Sequence, residues 1–236
     1  MKNRRLATQL IFLILTSTAI IFLAAFLYNL MASKQAVINQ AGENARHLTL
    51  ETAYRIESVL QGVEKVPGNL APVMEDYPYK QPDLLRLLKT TVANNREIFG
   101  MAVAFEPHAF DPQSYYFCPY GYRKDGQVQI TFLGSDSYRY FFSDWYQIPR
   151  ELKRPGWSEP YYDEGGGNII MSTYSVPFYR RGPTGAQFQG VVTADLSLLW
   201  LQELVAAVKI YQSGYAFLIS RNGVFVTHPE TRWIMR

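Results

Sequence analysis

Between residues 138 and 195 the chain gathers the side chains best suited to holding a small molecule. Tyr138, Trp145 and Tyr146 come first, Asp163 precedes the Gly165-Gly166-Gly167 turn, and Tyr174 and Asp195 fall in two strand-like runs after it. Aromatic faces and carboxylates both attract an ammonium group, so a concave pocket built from these residues suits a small cation. Each residue also has a plainer use. Trp145 and Tyr146 can serve as core aromatics. Asp195 can cap the helix expected after it, and Asp163, like Glu164, can be a solvated turn residue.

The same residues do not make a catalyst. There is no Gly-x-Ser-x-Gly elbow, and the three glycines lack the Lys-Ser/Thr of a phosphate loop. His47, His108 and His228 lack any partner at metal-ligand spacing, and the lone Cys118 can form neither an internal disulfide nor a thiolate cluster. No catalytic residue, metal site or cofactor is therefore expected. Nor is a nucleic-acid partner: the net charge of +3 is matched by Lys2, Arg4 and Arg5 alone, and the rest of the chain is neutral, without a basic stripe.

The elements that would position these residues can be read from hydropathy. Residues 6–30 are apolar apart from Thr8, Gln9, Thr16, Ser17, Thr18 and Asn29, and carry no charge. A bilayer needs about 20 such residues in a helix. With Lys2, Arg4 and Arg5 just before the span, the positive-inside rule leaves residues 1–5 in the cytoplasm and sends the remainder across the inner membrane. The run exceeds the apolar region of a signal peptide, and its C-terminal end, Tyr28 to Lys34, makes a poor cleavage site, so an uncleaved anchor is expected.

Val37, Ala41, Ala45, Leu48, Thr52, Ile56, Val59 and Val63 then trace one face of a long stalk helix, which Pro67-Gly68 should stop. A shorter helix starts at Gln81-Pro82-Asp83 and ends at Asn94-Asn95. Strands are expected over residues 99–105, 115–122, 127–133, 169–178 and 188–194. Asp125-Gly126 turns one hairpin, and the segment Arg181 to Gly185 turns another. A helix over residues 196–208 leads to a further hairpin around Asn222-Gly223. This is an α+β pattern, an antiparallel sheet packed on helices.

In their order and spacing these features resemble the double Cache sensor domains of bacterial transmembrane receptors. The resemblance rests on the single span, the long helix, Trp145-Tyr146 after an aromatic strand, Gly190-Val-Val-Thr-Ala-Asp195, and Gly214 to Gly223 with His228-Pro229 beyond them. It implies PAS-like modules: a complete membrane-distal one within residues 34–195 and the start of a membrane-proximal one over residues 196–236. It also implies a small-molecule ligand, a homodimer through the stalk helix, and an output of histidine kinase, diguanylate cyclase, chemoreceptor or serine phosphatase type. Tyr138, Trp145, Tyr146 and Asp195 match positions that bind amino acids in that family. Ser143 stands where the carboxylate-binding Arg is expected, which removes the bidentate fork and favours an amine over an α-amino acid. An anchored structural or adhesive domain and an exported hydrolase are the alternative readings.

Overall fold

One helix, α1 (Lys2–Asp76), takes in both the apolar segment and the stalk. The computed structural model describes residues 2–76, 79–183 and 185–236, with side chains from Leu6 onward. The flanking charges Lys2, Arg4 and Arg5 therefore lie outside the described side chains, and Thr184, in the second expected turn, lies outside the described residues. The chain divides into two units, Met1–Glu51 and Thr52–Arg236. In the first, the apolar side chains of residues 6–30 are exposed all round. Among the described residues this is one helix long and apolar enough to cross a membrane. Hydrocarbon is the surrounding that such a surface fits.

Pro67-Gly68 does not stop the helix, contrary to the sequence expectation: α1 continues through Pro67 and Pro72. A helix-interior proline costs about 3 kcal/mol. The offset comes from packing, since Val63, Pro67, Ala71 and Met74 form one buried stripe at spacings of four, four and three. Helix α2 (Gln81–Asn94) starts and stops where the sequence indicated and buries Leu84, Leu88 and Val92. Its C-terminal carbonyls are satisfied by Arg123, whose guanidinium donates to the Val92 carbonyl, to Asn95 O at 2.9 Å and to Ile98 O at 3.0 Å.

The second unit is built on an antiparallel sheet. Its strands are β1 (Gly100–Phe105), β2 (Cys118–Lys124), β3 (Gln127–Leu133), β4 (Gly156–Trp157), β5 (Tyr161–Tyr162), β6 (Ile170–Gly182) and β7 (Gly185–Ser197). The order is β3-β2-β1-β7-β6-β4, with β5 also paired to β6. Asp125 and Gly126 join β2 to β3 with φ of 52° and 76°, the positive values a type I′ hairpin requires. Side chains alternate across the sheet. Met101, Val103, Val176, Phe178, Val192, Ala194 and Leu196 share a core with α1 and α2, whereas Ala102, Ala104, Cys118, Tyr120 and Val191 face the opposite way.

Between β3 and β4 the expected aromatic strand is absent. Tyr140–Phe142 form a 3-10 turn, and α3 (Asp144–Leu152) carries Trp145 and Tyr146. Tertiary packing decides this. Tyr140 stacks on Trp145 and meets Tyr146 edge-on, contacts that a turn leading into a helix brings together. Beyond β7 come α4 (Leu198–Ala206), the short pair β8 (Lys209–Ile210) and β9 (Gly214–Tyr215), and the pair β10 (Leu218–Ile219) and β11 (Phe225–Thr227), whose turn at Asn222-Gly223 is the one expected.

Leu88 is fully buried where α2 packs on the sheet. Leu88→Ala should destabilise the second unit by about 2–5 kcal/mol, the usual cost of such a cavity. Urea denaturation of the detergent-solubilised chain, monitored by Trp fluorescence, should show a lower midpoint.

Candidate ligand-binding site

The sheet face turned away from α1 and α2 is unusually polar. Thr173 and Asp195 are register partners on β6 and β7, and Ser175 pairs with Thr193 beside them. All four are buried. Small neighbours, Ala102 and Ala104, leave room for the rings that α3 brings over this face.

Two carboxylates anchor the polar cluster, each only 4% exposed. Asp195 Oδ1 accepts a hydrogen bond from Thr173 Oγ1 at 2.8 Å, and Thr173 Oγ1 also meets the Tyr161 hydroxyl at 2.7 Å. Asp163 Oδ1 accepts from the Tyr138 hydroxyl at 2.6 Å, and its Oδ2 accepts from the Gly167 amide at 2.6 Å. The glycine turn is shaped for this carboxylate, because a Cβ on Gly166 would collide with it. No Lys, Arg or His among the described residues pairs with either aspartate. Among the same residues no group of His, Cys, Asp and Glu could hold a metal ion.

Burial raises the Asp195 carboxyl from its ordinary 3.8 to about 7, and the Asp163 charge adds to the rise, while the hydrogen bond from Thr173 and the nearby Tyr120 hydroxyl partly oppose it. The folded chain thus holds this proton more tightly than the unfolded chain. Its contribution to stability is complete below pH 4 and is lost as the pH rises through about 7. An ionised Asp195 without a cationic partner costs the fold on the order of 4 kcal/mol. The Tyr120 hydroxyl, though turned to Asp195, is buried without a hydrogen bond of ordinary geometry. On the same face the Cys118 thiol is raised well above its usual range by burial, then by Asp195 and Asp163.

A cavity of about 400 Å³ opens beside this cluster. Of the sequence-predicted residues, Tyr138, Trp145 and Asp163 line it. Asp195 is not on the wall but is reached from it through Tyr161 and Thr173. Asp195 is also not a helix cap, since it lies inside β7 and Ser197 holds the N-cap position of α4. Tyr146 stands behind the wall. Fully buried, it donates to Glu106 Oε2 at 2.7 Å, and Arg150 pairs with the same carboxylate at 2.9 Å. Tyr174 lies on the opposite face, packed on Trp157 with the α1 core, and does not join the cluster. Sequence reasoning missed Tyr161 and Tyr120. The first was legible from strand alternation, because Tyr161 and Asp163 are two apart and point to one side.

Residues 84–203 match the family described as methyl-accepting chemotaxis protein-like, first PDC sensor domain. Among curated relatives, the methyl-accepting chemotaxis protein PscA of Pseudomonas syringae pv. tomato is 27% identical over 92 residues, 39% of this chain and 14% of the receptor. The matched part is thus a small fraction of that relative's length. Among solved structures, the extracellular domain of mmHK1S-Z3, assigned as a histidine kinase, is 27% identical with a TM-score of 0.69, covering 80% of this chain and 72% of that one. The ligand-binding domain of the Pseudomonas aeruginosa amino-acid chemoreceptor PctC, solved with GABA, shares the fold at 20% identity and a TM-score of 0.59, over 80% of this chain and 77% of that one. With more than half of its residues inside the match, the chain belongs to the methyl-accepting chemotaxis protein-like family of first PDC sensor domains.

Proposed function

We propose that this sensor recognises a small organic amine outside the cytoplasm and belongs to a membrane-anchored bacterial receptor of double Cache architecture. In this reading residues 6–30 are the inner-membrane anchor, residues 34–195 hold the distal module, and residues 196–236 begin the proximal one. The chain itself turns over no substrate. It pairs with a second copy through the stalk part of α1, and it drives an output located elsewhere in the receptor, of the kinase or chemotaxis kind its relatives carry.

The observation that carries the ligand class is the burial of Asp163 and Asp195, near enough for the charge of the first to raise the carboxyl of the second, with no cationic partner among the described residues. Two such charges are costly unless something positive joins them. The cavity wall supplies aromatic faces from Tyr138, Trp145 and Tyr161, and Ser143 on the same wall offers no guanidinium for a carboxylate. An amine gains about 0.5–2 kcal/mol from each good ring contact.

Transmission is assigned to α1, which the sheet grips beside the site. The Trp157 indole donates to Glu64 Oε1 at 2.7 Å, and Ser158, the next residue, lines the cavity. The Tyr179 amide donates to Glu75 Oε1 at 3.0 Å. A ligand acts through these bonds only by favouring one of two positions of the cavity wall.

Asp195→Asn should make the ligand-free chain more stable than the parent at pH 8 and no more stable at pH 4, read as melting temperature. In the parent, calorimetric titration with 1-aminobutane should give affinity that falls about tenfold per pH unit below 7 and levels off above it, a dependence the Asn variant loses. Binding of simple carboxylates in place of amines would sink the reading. Trp157→Phe, which keeps the ring but loses the bond to Glu64, should leave amine affinity within about twofold, an ordinary surface-scale effect, while weakening the response of an intact receptor. An unaltered response would remove this contact from the route.

A further inference from the structure

Two residues of α3, neither of them on the cavity wall, converge on one carboxylate. Glu106 follows β1 directly. Its amide donates to Gln189 O at 2.7 Å and its carbonyl accepts from the Ala109 amide at 3.0 Å, so its backbone is fixed against β7. Its Oε2 accepts from the Tyr146 hydroxyl at 2.7 Å, and its Oε1 pairs with Arg150 at 2.9 Å. Tyr146 and Arg150 are four residues apart and share one face of α3. Phe188 of β7 completes the joint. The Tyr146 ring meets it edge-on at 5.8 Å, and the Arg150 guanidinium lies 5.8 Å from its centroid. Burial first, and then the Glu106 carboxylate, raise the Tyr146 hydroxyl far above its ordinary value, so its proton stays in place to be donated. At the other end of the helix, residues 142–145 line the cavity. Where α3 is held therefore decides where Trp145 stands. Trp145 and Tyr146 belong to a cluster on the polar face, separate from the core shared with α1 and α2. Movement of α3 leaves that core packed.

We infer that Glu106 is a positioning residue of this sensor: by holding Tyr146 and Arg150 together it fixes α3, and through α3 the aromatic wall of the cavity, while touching no ligand itself. The role does not depend on which small molecule the cavity takes. An apolar side chain at position 106 could not replace it, because the buried Tyr146 hydroxyl would be left without an acceptor. The two contacts differ in kind. The bond from Tyr146 is enclosed by rings and out of reach of salt. The ion pair is partly solvated, with Arg150 and Glu106 side chains 40% and 26% exposed, so dissolved ions weaken it. Glutamine separates the two, since it keeps an oxygen for Tyr146 and loses the charge that Arg150 meets. A wall that opens apart from the core is also an element whose position a bound molecule can bias.

The test is amide hydrogen exchange, followed by mass spectrometry, on the full chain in detergent micelles with no ligand added. In the parent, exchange of the α3 amides should depend only weakly on urea, whereas that of β6 and β7 should rise steeply, the mark of an element that opens by itself. Glu106→Ala should speed α3 exchange without urea by at least about tenfold, the scale of one charge-assisted hydrogen bond. Glu106→Gln should stay within about threefold of the parent, as a rescue of the Tyr146 bond alone. Raising sodium chloride to about 1 M should speed α3 exchange in the parent and not in the Gln variant. Tyr146→Phe combined with Arg150→Met keeps the ring and the stem but removes both donors. That pair should match Glu106→Ala, and adding Glu106→Ala to it should change α3 exchange no further. Urea dependence of α3 as steep as that of β6 and β7 overturns the inference, because α3 then opens only with the whole unit. So does full additivity of Glu106→Ala with the pair, which would place the action of Glu106 elsewhere. If Glu106→Ala fails to fold, the Gln variant and its response to salt decide: a Gln variant as fast as the double variant, or as sensitive to salt as the parent, sinks the assignment.

Discussion

The pairing of β6 with β7 is the constraint on which the rest of the second unit depends. Its ladder runs from Met171 opposite Ser197 to Gly182 opposite Gly185. Its register sets Thr173 against Asp195 and Tyr174 against Ala194, so polar partners meet on one face and apolar ones on the other. Slipping the register by one residue would turn Asp195 into the helix-packed core and Leu196 into the cavity side. The single irregularity, at Phe178 and Tyr179, comes after the site residues and leaves their alternation intact. Neighbouring β1 extends both faces, because Ala102 and Ala104 lie beside the polar cluster while Met101 and Val103 lie in the core.

The cluster held on that face is a local weakness in an otherwise well-packed unit. Leu84, Leu88, Val92, Val103 and Val192 are fully or almost fully buried on the other side of the sheet. Against that core stand two aspartates and the Tyr120 and Ser175 hydroxyls, which have no hydrogen-bond partner among the described residues. Sites that bind often give up stability of the bare fold in this way. Here the loss is electrostatic, as the rise of the Asp195 carboxyl on burial shows.

The range of each interaction decides whether the sequence disclosed it or hid it. Asp125-Gly126 and Asn222-Gly223 are local signals, set by which residues tolerate positive φ, and both turns form where expected. The start of α2 at Gln81 is equally local. The passage of α1 through Pro67 was not legible, because the penalty is local while the compensation, burial of Ala71 and Met74, is tertiary. The turn and helix around Trp145 were hidden for a similar reason: a run of aromatics reads as a strand until the rings have partners to pack on. Tyr174 is a matter of phase. It is adjacent to Thr173, and one step along a strand exchanges the ligand face for the core. Asp163 and Asp195 were visible as residue types. Their proximity was not, since β5 and β7 meet only through β6.

Cys118 belongs to the same polar face, with its sulfur wholly enclosed. Burial and the two aspartates keep it in the thiol form, and a thiol, unlike a thiolate, is a poor nucleophile. The sole cysteine of the chain is therefore mute toward oxidants, alkylating reagents and a second copy for as long as the sheet stays closed. It gains reactivity when the cover of Tyr140, Trp145 and Tyr146 lifts or the sheet opens. The second unit thus carries in its interior a native reporter of its own opening, in a place where nothing need be engineered to read it.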